Sequence, residues 1–472
     1  MKKKTIHFVG IKGVGMTPLA IIAKEAGCDV TGCDIDEEFI TDKSLKKAGI
    51  NPLINFSIDH VLDCDIVVST GAHGGMENEE VKYAIELGKK VILQGQAVGL
   101  YMDGNLFEKK YIKGISVLGA HGKTTTTAMI ATIFMHAKKD PSYLVGTSDI
   151  LSLGNAGHYG KGQYFIAEAD EYINDSDLEK KAKFLWQHPE IAIITNIEFD
   201  HPDAYSTIED VITSFTSFIS GIKAGGLLIG YGDDPIVKKL LKEFNGRSIT
   251  YGIGTQNDFL LSRVSVHDGR TYFWVDSSGV SLGEFMIQVI GEHNALNALA
   301  AIICSIEAGI SVETIKKALN QFSGTKRRFE FQGKLKSGAF LYDDYAHHPT
   351  EIKKTLEACR QNFPKLKIIC IFQPHTFSRT KKLFNDFIHI FQIVDTLILT
   401  DIFSSGREKN DGSVSSRDIY QEMTRFYSNI IYLPSLYNVV EYLEKKQYGK
   451  DVIIITMGAG DVYKIKKNLM ME

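Results

Sequence analysis

The stretch Gly114-Ile115-Ser116-Val117-Leu118-Gly119-Ala120-His121-Gly122-Lys123-Thr124-Thr125-Thr126-Thr127-Ala128-Met129-Ile130 decides how the rest of the chain is read. An apolar strand runs into a glycine loop with one lysine, then a threonine run, then an apolar helix that continues through Ile133 and Phe134. Glycines let backbone N–H groups close on phosphate, Lys123 brings a cation within reach, and the helix N-terminus adds its dipole. Thr124 stands where a hydroxyl would meet Mg²⁺. Val117 occupies the place where the strict phosphate-loop pattern has its first glycine, so a plain glycine turn with a surface lysine is the competing reading. Strand, loop, threonine run and helix together favour ATP, with Gly119, Ala120, His121, Gly122, Lys123, Thr124 and Thr125 around its phosphates.

Strand and helix signals alternate on both sides of this loop, which argues for parallel sheets covered by helices. Upstream lie the strand Thr5–Gly10, a helix near Pro18–Ala26, the strand Asp29–Asp34, the apolar run Asp65–Thr70, a helical Asn78–Gly88 and the strand Lys90–Leu93. The polar Met102–Asn105 marks a boundary. Downstream come the strands Tyr164–Ala169 and Ile191–Ile197, a β-rich Asp258–Val289 and a long helix His293–Glu307. The pattern breaks at Phe322–Thr325, and a third block adds strands at Ala339–Tyr342, Lys367–Phe372, Thr396–Thr400, Ile430–Leu433 and Val452–Thr456. The expected architecture is α/β in three domains, 1–108, 109–324 and 325–472: a Rossmann-like N-terminal domain, a central P-loop ATPase domain and a Rossmann-like C-terminal domain.

The chain has 472 residues, 44% hydrophobic and 23% charged, with a net charge of −4. That balance offers no bulk attraction to nucleic acid or anionic membrane. No run of apolar residues is long enough for a membrane span. Met1-Lys2-Lys3-Lys4 resembles the start of a signal peptide, but His7 and Lys12 interrupt the apolar run behind it, so it reads as a solubilised first strand. The six cysteines show no metal or disulfide spacing, as in a cytoplasmic enzyme with reduced thiols.

Other constellations sit at strand and helix ends. Gly10-Ile11-Lys12-Gly13-Val14-Gly15, with Asp34 closing the next strand, reads as a tight turn, an NAD(P) loop or a loop for another nucleotide diphosphate; Lys12 in place of the second fingerprint glycine favours the last. Glu168 and His201 follow two different strands; if both strands neighbour the phosphate loop, the two could complete magnesium shells with Thr124, whereas acids at strand ends taken alone read as solvated groups or helix caps. Asn294 and Asn297, three apart on one helix, could address an adenine edge, or Asn294 could cap the helix. Arg327-Arg328 reads as a phosphate clamp or an exposed basic pair. His347 and His348 read as polar site lining.

In this order, Gly119–Thr127, Glu168–Glu171, Asn196–Tyr205, His293–Asn297, Arg327-Arg328, Asp343–Glu351, Phe372–Thr380 and Gly458–Asp461 resemble the Mur ligase family along the whole chain. Those ATP-dependent enzymes add amino acids to the UDP-muramyl precursor of peptidoglycan, and so serve cell-wall biogenesis, cell shape and division. The resemblance implies a UDP-sugar domain (1–108), an ATP domain (109–324) and an amino-acid domain (325–472), acting as monomer or homodimer. It implies ATP and Mg²⁺, with UDP-N-acetylmuramate and L-alanine as substrates. It assigns catalysis to Lys123, Glu168, His201 and Arg328, and the metal to Thr124, Glu168 and His201. The rest of the nucleotide falls to Asn294, Asn297, Arg328 and Asp344, and the UDP-sugar to Gly10, Gly13, Gly15 and Asp34. The amino acid falls to His347, His348, His375 and Arg379. The chain departs from the family at Lys12, in Ser69–Gly75 and at Thr376. Glu171-Tyr172 and Phe199 are more like members that attach a whole tripeptide, while Phe372–His375 and Phe377–Thr380 favour alanine. The third domain chooses the amine, so L-alanine takes precedence and the tripeptide is the alternative.

Overall fold

In the computed structural model, residues 3–107, 109–175, 179–405, 408, 410 and 412–470 are described. Met1 and Lys2 lie outside them. Three sheets organise the chain. The first is five-stranded and wholly parallel, in the spatial order Leu53–Ile54, Asp29–Asp34, Thr5–Val9, Ile66–Ser69, Lys90–Leu93. Its helix Met16–Glu25 starts directly after the first glycine loop and buries Leu19, Ala20, Ile22 and Ala23.

The second sheet has ten strands and carries the phosphate loop at its centre: Lys113–Leu118 lies between Ile191–Ile194 and Tyr164–Glu168, all parallel. The helix Lys123–His136 is buried along its whole run from Thr124 to Phe134 and packs against Glu292–Glu307, as expected for a helix walled in on every side. The β-rich stretch resolves into three antiparallel strands, Phe259–His267, Arg270–Ser277 and Val280–Ile287, at one edge of this sheet. The third sheet is six-stranded and parallel except for the edge strand Glu330–Lys334, in the order Glu330–Lys334, Phe340–Asp344, Val452–Met457, Lys367–Phe372, Thr396–Leu399, Ile430–Tyr432. Among the described residues no helix is long and apolar enough to cross a membrane.

The joints between the sheets differ in kind. Tyr101, Phe107 and Ile112 share one apolar core with Leu144, Phe165 and Ala167 of the central sheet. Two glycines let that joint close. A Cβ on Gly99 would lie 2.0 Å from the Trp186 carbonyl oxygen, and one on Gly157 2.2 Å from that of Pro18. The third sheet meets the centre through charged and polar side chains instead. Thr350 donates to Glu198 (2.7 Å), and Arg379 bonds Asp200.

Candidate active site

Sheet topology fixes which side chains can meet. Parallel strands leave their carboxyl ends on one side, and there the loops after Leu118, Glu168 and Ile194 converge. Gly122, at φ 82°, caps the phosphate-loop helix, and a Cβ there would lie 2.4 Å from Asn297 Oδ1. The position therefore suits only glycine. Lys123 Nζ reaches back to the Gly119 carbonyl (2.5 Å) and lies 2.8 Å from Glu171 Oε2. Burial works against its charge, but Glu171 and then Asp170 outweigh it and hold the ammonium protonated.

The magnesium set read from sequence is divided in space. Thr124 Oγ1 donates to Glu168 Oε1 (2.8 Å), and the other Glu168 oxygen accepts from the Gly146 N–H. Burial raises the Glu168 pKa. His201 stands instead against Glu171 (3.6 Å) and Asp200 (3.6 Å), with a left-handed backbone at φ 58°. Asp170, Glu171 and His201 hold donor atoms all within 4.8 Å of one another. The Thr124 hydroxyl and the Glu168, Asp170 and Glu171 carboxylates are the oxygen donors that Mg²⁺ prefers and fit the ion, while the His201 imidazole is a less usual ligand for it.

Between the central and third domains a cleft is lined by His121, Thr124, Thr125, Asn294, Asn297, Arg328 and Asp344. Every one of these residues was singled out in the sequence. Tyr231, Tyr251, Ile290, His293, Phe329 and Lys354 are also among its lining residues. Asn294 is not the helix cap: Gly291 fills that place, and Asn294 Nδ2 donates to the Ile290 carbonyl (2.8 Å). Burial pushes His293 down to about 4 and Asp344 up to about 6. The arginine pair splits. Arg328 faces the cleft, beside Glu351 at 3.4 Å, whereas Arg327 is buried and serves the third domain, binding Asp343 (2.9 Å) and the Gly458 carbonyl (2.7 Å). The two-arginine clamp is therefore one arginine.

His121 lies between two carboxylates, 3.4 Å from Glu198 and 3.4 Å from Glu351. Burial opposes its imidazolium, but Glu351 and then Glu198 carry its pKa up to about 9. His347 and His348 are adjacent in sequence and opposite in role. His348 caps the helix Pro349–Asn362, its Nδ1 accepting from Thr350 N–H. His347 Nδ1 faces the Tyr345 carbonyl (3.1 Å), so the hydrogen sits on that nitrogen and Nε2 is the basic one. Burial, then Arg379, push His347 down to about 3. Arg379 is itself buried: Nε and Nη2 hold Asp200 Oδ1 at 2.9 and 2.8 Å, and Nη1 lies 3.1 Å from His375 Nδ1.

In the first sheet Asp34 turns inward. It is 1% exposed and accepts from Lys12 N–H (2.8 Å) and Ile35 N–H (2.9 Å), with His73 Nε2 at 3.3 Å. Asp34 thus braces the loop holding Gly10, Gly13 and Gly15 from below. The two unusual segments, at Lys12 and Ser69–Gly75, meet on this one carboxylate.

The sequence reading passed over Glu171, Glu198, Asp200 and Glu351 as individual site residues. All four lay inside quoted stretches, but alternation along a strand end does not tell which of several acids turns inward. Tyr231 and Tyr251 had no local signal, since both belong to strands the sequence scan did not resolve.

Comparisons with known proteins agree along the chain. Residues 5–105 match the Mur ligase family catalytic domain, 117–305 the Mur ligase middle domain, and 327–460 the Mur ligase glutamate ligase domain. A UDP-N-acetylmuramate–L-alanine ligase of Desulfitobacterium hafniense is 40% identical, covering 98% of this chain and 99% of its own. One from Caldanaerobacter subterraneus is 37% identical over 100% of this chain and 98% of its own. The crystal structure of a UDP-N-acetylmuramate–alanine ligase from Thermotoga maritima superposes with a TM-score of 0.81 at 26% identity, covering 99% and 98% of the two chains. A murein peptide ligase from Psychrobacter arcticus shares the fold, with a TM-score of 0.72 at 24% identity over 99% and 98%.

Proposed function

Because this chain belongs to the Mur ligase family, we propose that it joins L-alanine to the lactyl carboxylate of UDP-N-acetylmuramate at the expense of ATP. It is an ATP-dependent acid–amino-acid ligase of peptidoglycan precursor synthesis, working in the cytoplasm, where ATP is supplied. One observation carries the reading: the segment Glu198–His201 touches the phosphate-loop acid Glu171 through His201 and the third domain through Thr350 and Arg379. Phosphoryl transfer and amide formation need that proximity.

A carboxylate is a poor acyl donor until an oxygen is phosphorylated. The muramyl carboxylate attacks the γ-phosphorus, ADP leaves, and an acyl phosphate results; Lys123 stabilises the charge gathering on the transferred group. The adenosine end occupies the cleft at Asn294, Asn297, Arg328 and Asp344, with Tyr231 and Tyr251 beside the base. Thr124 and Glu168 would hold one Mg²⁺, and Glu171 with His201 a second, which supplies charge neutralisation at the phosphates. The loop of Gly10, Gly13 and Gly15 approaches the UDP diphosphate.

The amine then attacks the acyl carbon, and the tetrahedral intermediate expels phosphate. Arg379 and His375 orient the carboxylate of the amino acid, and His347 Nε2 takes the ammonium proton. Arg379 is one cause of His347's low basicity; a carboxylate bound to Arg379 offsets that charge and raises it, coupling the base to the correct substrate. Phosphate release measured with ATP, UDP-N-acetylmuramate and each amine tests the reading. Turnover with L-alanine is expected; turnover with L-alanyl-γ-D-glutamyl-diaminopimelate and none with L-alanine would make it a tripeptide ligase.

A further inference from the structure

Away from the cleft, four elements of the first sheet bring unlike donors to one point: His7 of the strand Thr5–Val9, Cys33 of Asp29–Asp34, His60 of the turn Ile58–Val61, and Glu80 of the helix Glu79–Glu86. Strand register explains the first two. Val9 pairs with Cys33 and His7 with Thr31, so His7 and Cys33 fall on the same face, the one the helix covers. Cys33 Sγ donates to Glu80 Oε2 (2.8 Å), His60 Nδ1 lies 2.6 Å from Oε1, and His7 Nε2 lies 3.5 Å from Oε2.

The side chains of His7 and Glu80 are wholly buried, and that of His60 is 18% exposed. His7 Nε2 has no hydrogen-bond partner although it points at the cluster. Its other nitrogen is held by Thr31 Oγ1 at 2.9 Å. An imidazole oriented through one nitrogen with the other left bare is how proteins present a histidine to a metal.

We propose that His7, Cys33, His60 and Glu80 form a structural Zn²⁺ site. One ligand atom from each residue already lies within 4.8 Å of the other three. Bonds of about 2.0–2.3 Å place tetrahedral donors roughly 3.3–3.8 Å apart, so rotamer adjustments of about 1 Å complete the shell. Two imidazoles, a thiolate and a carboxylate suit Zn²⁺ rather than Mg²⁺. The charges also close: the ion's +2 is cancelled by thiolate and carboxylate, leaving a neutral buried centre, and the Cys33 thiol proton is released to solvent. The ion would act on the UDP-sugar loop mechanically, since the Cys33 carbonyl accepts the N–H groups of Gly10 (3.0 Å) and Ile11 (3.1 Å).

The test uses the full chain, stripped with a chelator, held in excess Mg²⁺ with a non-hydrolysable ATP analogue to occupy the acidic cleft, and titrated with Co²⁺ and then Zn²⁺. One equivalent of Co²⁺ should give intense tetrahedral visible bands and a thiolate charge-transfer band, both abolished by one equivalent of Zn²⁺, which also raises Tm. Cys33→Ser should remove the charge-transfer band. His60→Ala, at the more exposed side of the cluster, should weaken Zn²⁺ by at least about tenfold, the minimum cost of losing even an outer partner of a metal site. No stoichiometric tetrahedral Co²⁺ spectrum, or one that survives unchanged in Cys33→Ser and His60→Ala, would overturn the proposal.

Discussion

Replacing Arg379 by lysine separates substrate recognition from domain attachment. The guanidinium serves Asp200 through Nε and Nη2 while Nη1 faces His375. Asp200 is held ionised far below the usual range; burial opposes its charge, but His201 and then Arg379 outweigh it. A lysine ammonium offers donors from a single point, so it stays with Asp200 and leaves the incoming amino-acid carboxylate one charge-assisted bond short. Such a bond contributes about 1.5–3 kcal/mol; about 2 kcal/mol corresponds to roughly a 30-fold rise in KM for L-alanine. The KM values for ATP and UDP-N-acetylmuramate should hardly move, because their sites are built on other residues. The assay is continuous phosphate release with two substrates saturating and the third varied. A KM for L-alanine within about threefold of wild type, under 1 kcal/mol, or a parallel rise for all three substrates, would refute the role given to Arg379.

Lys123→Ala should lower kcat by at least about 100-fold, the equivalent of ~2.7 kcal/mol of transition-state stabilisation, while UDP-N-acetylmuramate affinity measured by calorimetry stays near wild type. Glu168→Gln and His201→Ala should each raise the Mg²⁺ concentration for half-maximal activity; unchanged metal dependence in both would return them to structural roles. His121 gives a pH signature. Its pKa is raised from 6.5 to about 9 in the folded chain, so the stability it contributes is complete below about pH 6.5 and is lost as pH rises through about 9. The difference in Tm between wild type and His121→Gln should therefore shrink steadily from pH 6.5 to 9.5, and a constant difference would remove the charge from that contact.

The alternation of strands and helices was readable because the central parallel strands are buried on both faces and spelled in apolar residues, as in Lys367–Phe372 and Val452–Met457. The phosphate loop was readable because its chemistry is local: glycine, lysine and threonine act through backbone conformation within a few positions. The helix Gln94–Met102 escaped notice because four of its nine residues, Gln94, Gly95, Gln96 and Gly99, are glutamine or glycine and interrupt any helical apolar stripe. Gly99 is there for close approach to Trp186, a reason that exists only in the assembled structure. Long-range pairs were out of reach for the same cause. Arg379 and Asp200 are 179 positions apart, and nothing along the chain distinguishes Asp200 from Asp203. Arg327 and Arg328 were indistinguishable as letters; only the left-handed turn at Arg327, φ 60°, sends one inward and the other to the cleft.

The apolar joint between the first and second sheets makes the N-terminal domain a poor candidate for life as a fragment. Cutting after Phe107 would strip Tyr101 and Phe165 of the ring contact they make at 4.3 Å and turn a dry seam into an aggregation-prone face. The third domain, attached through ion pairs and hydroxyls, would lose far less on excision. Rearrangement during turnover should accordingly fall on the salt-sensitive seam, with the first two domains travelling as one body. Chimeras between related ligases should tolerate a crossover near Gly324 better than one near Phe107.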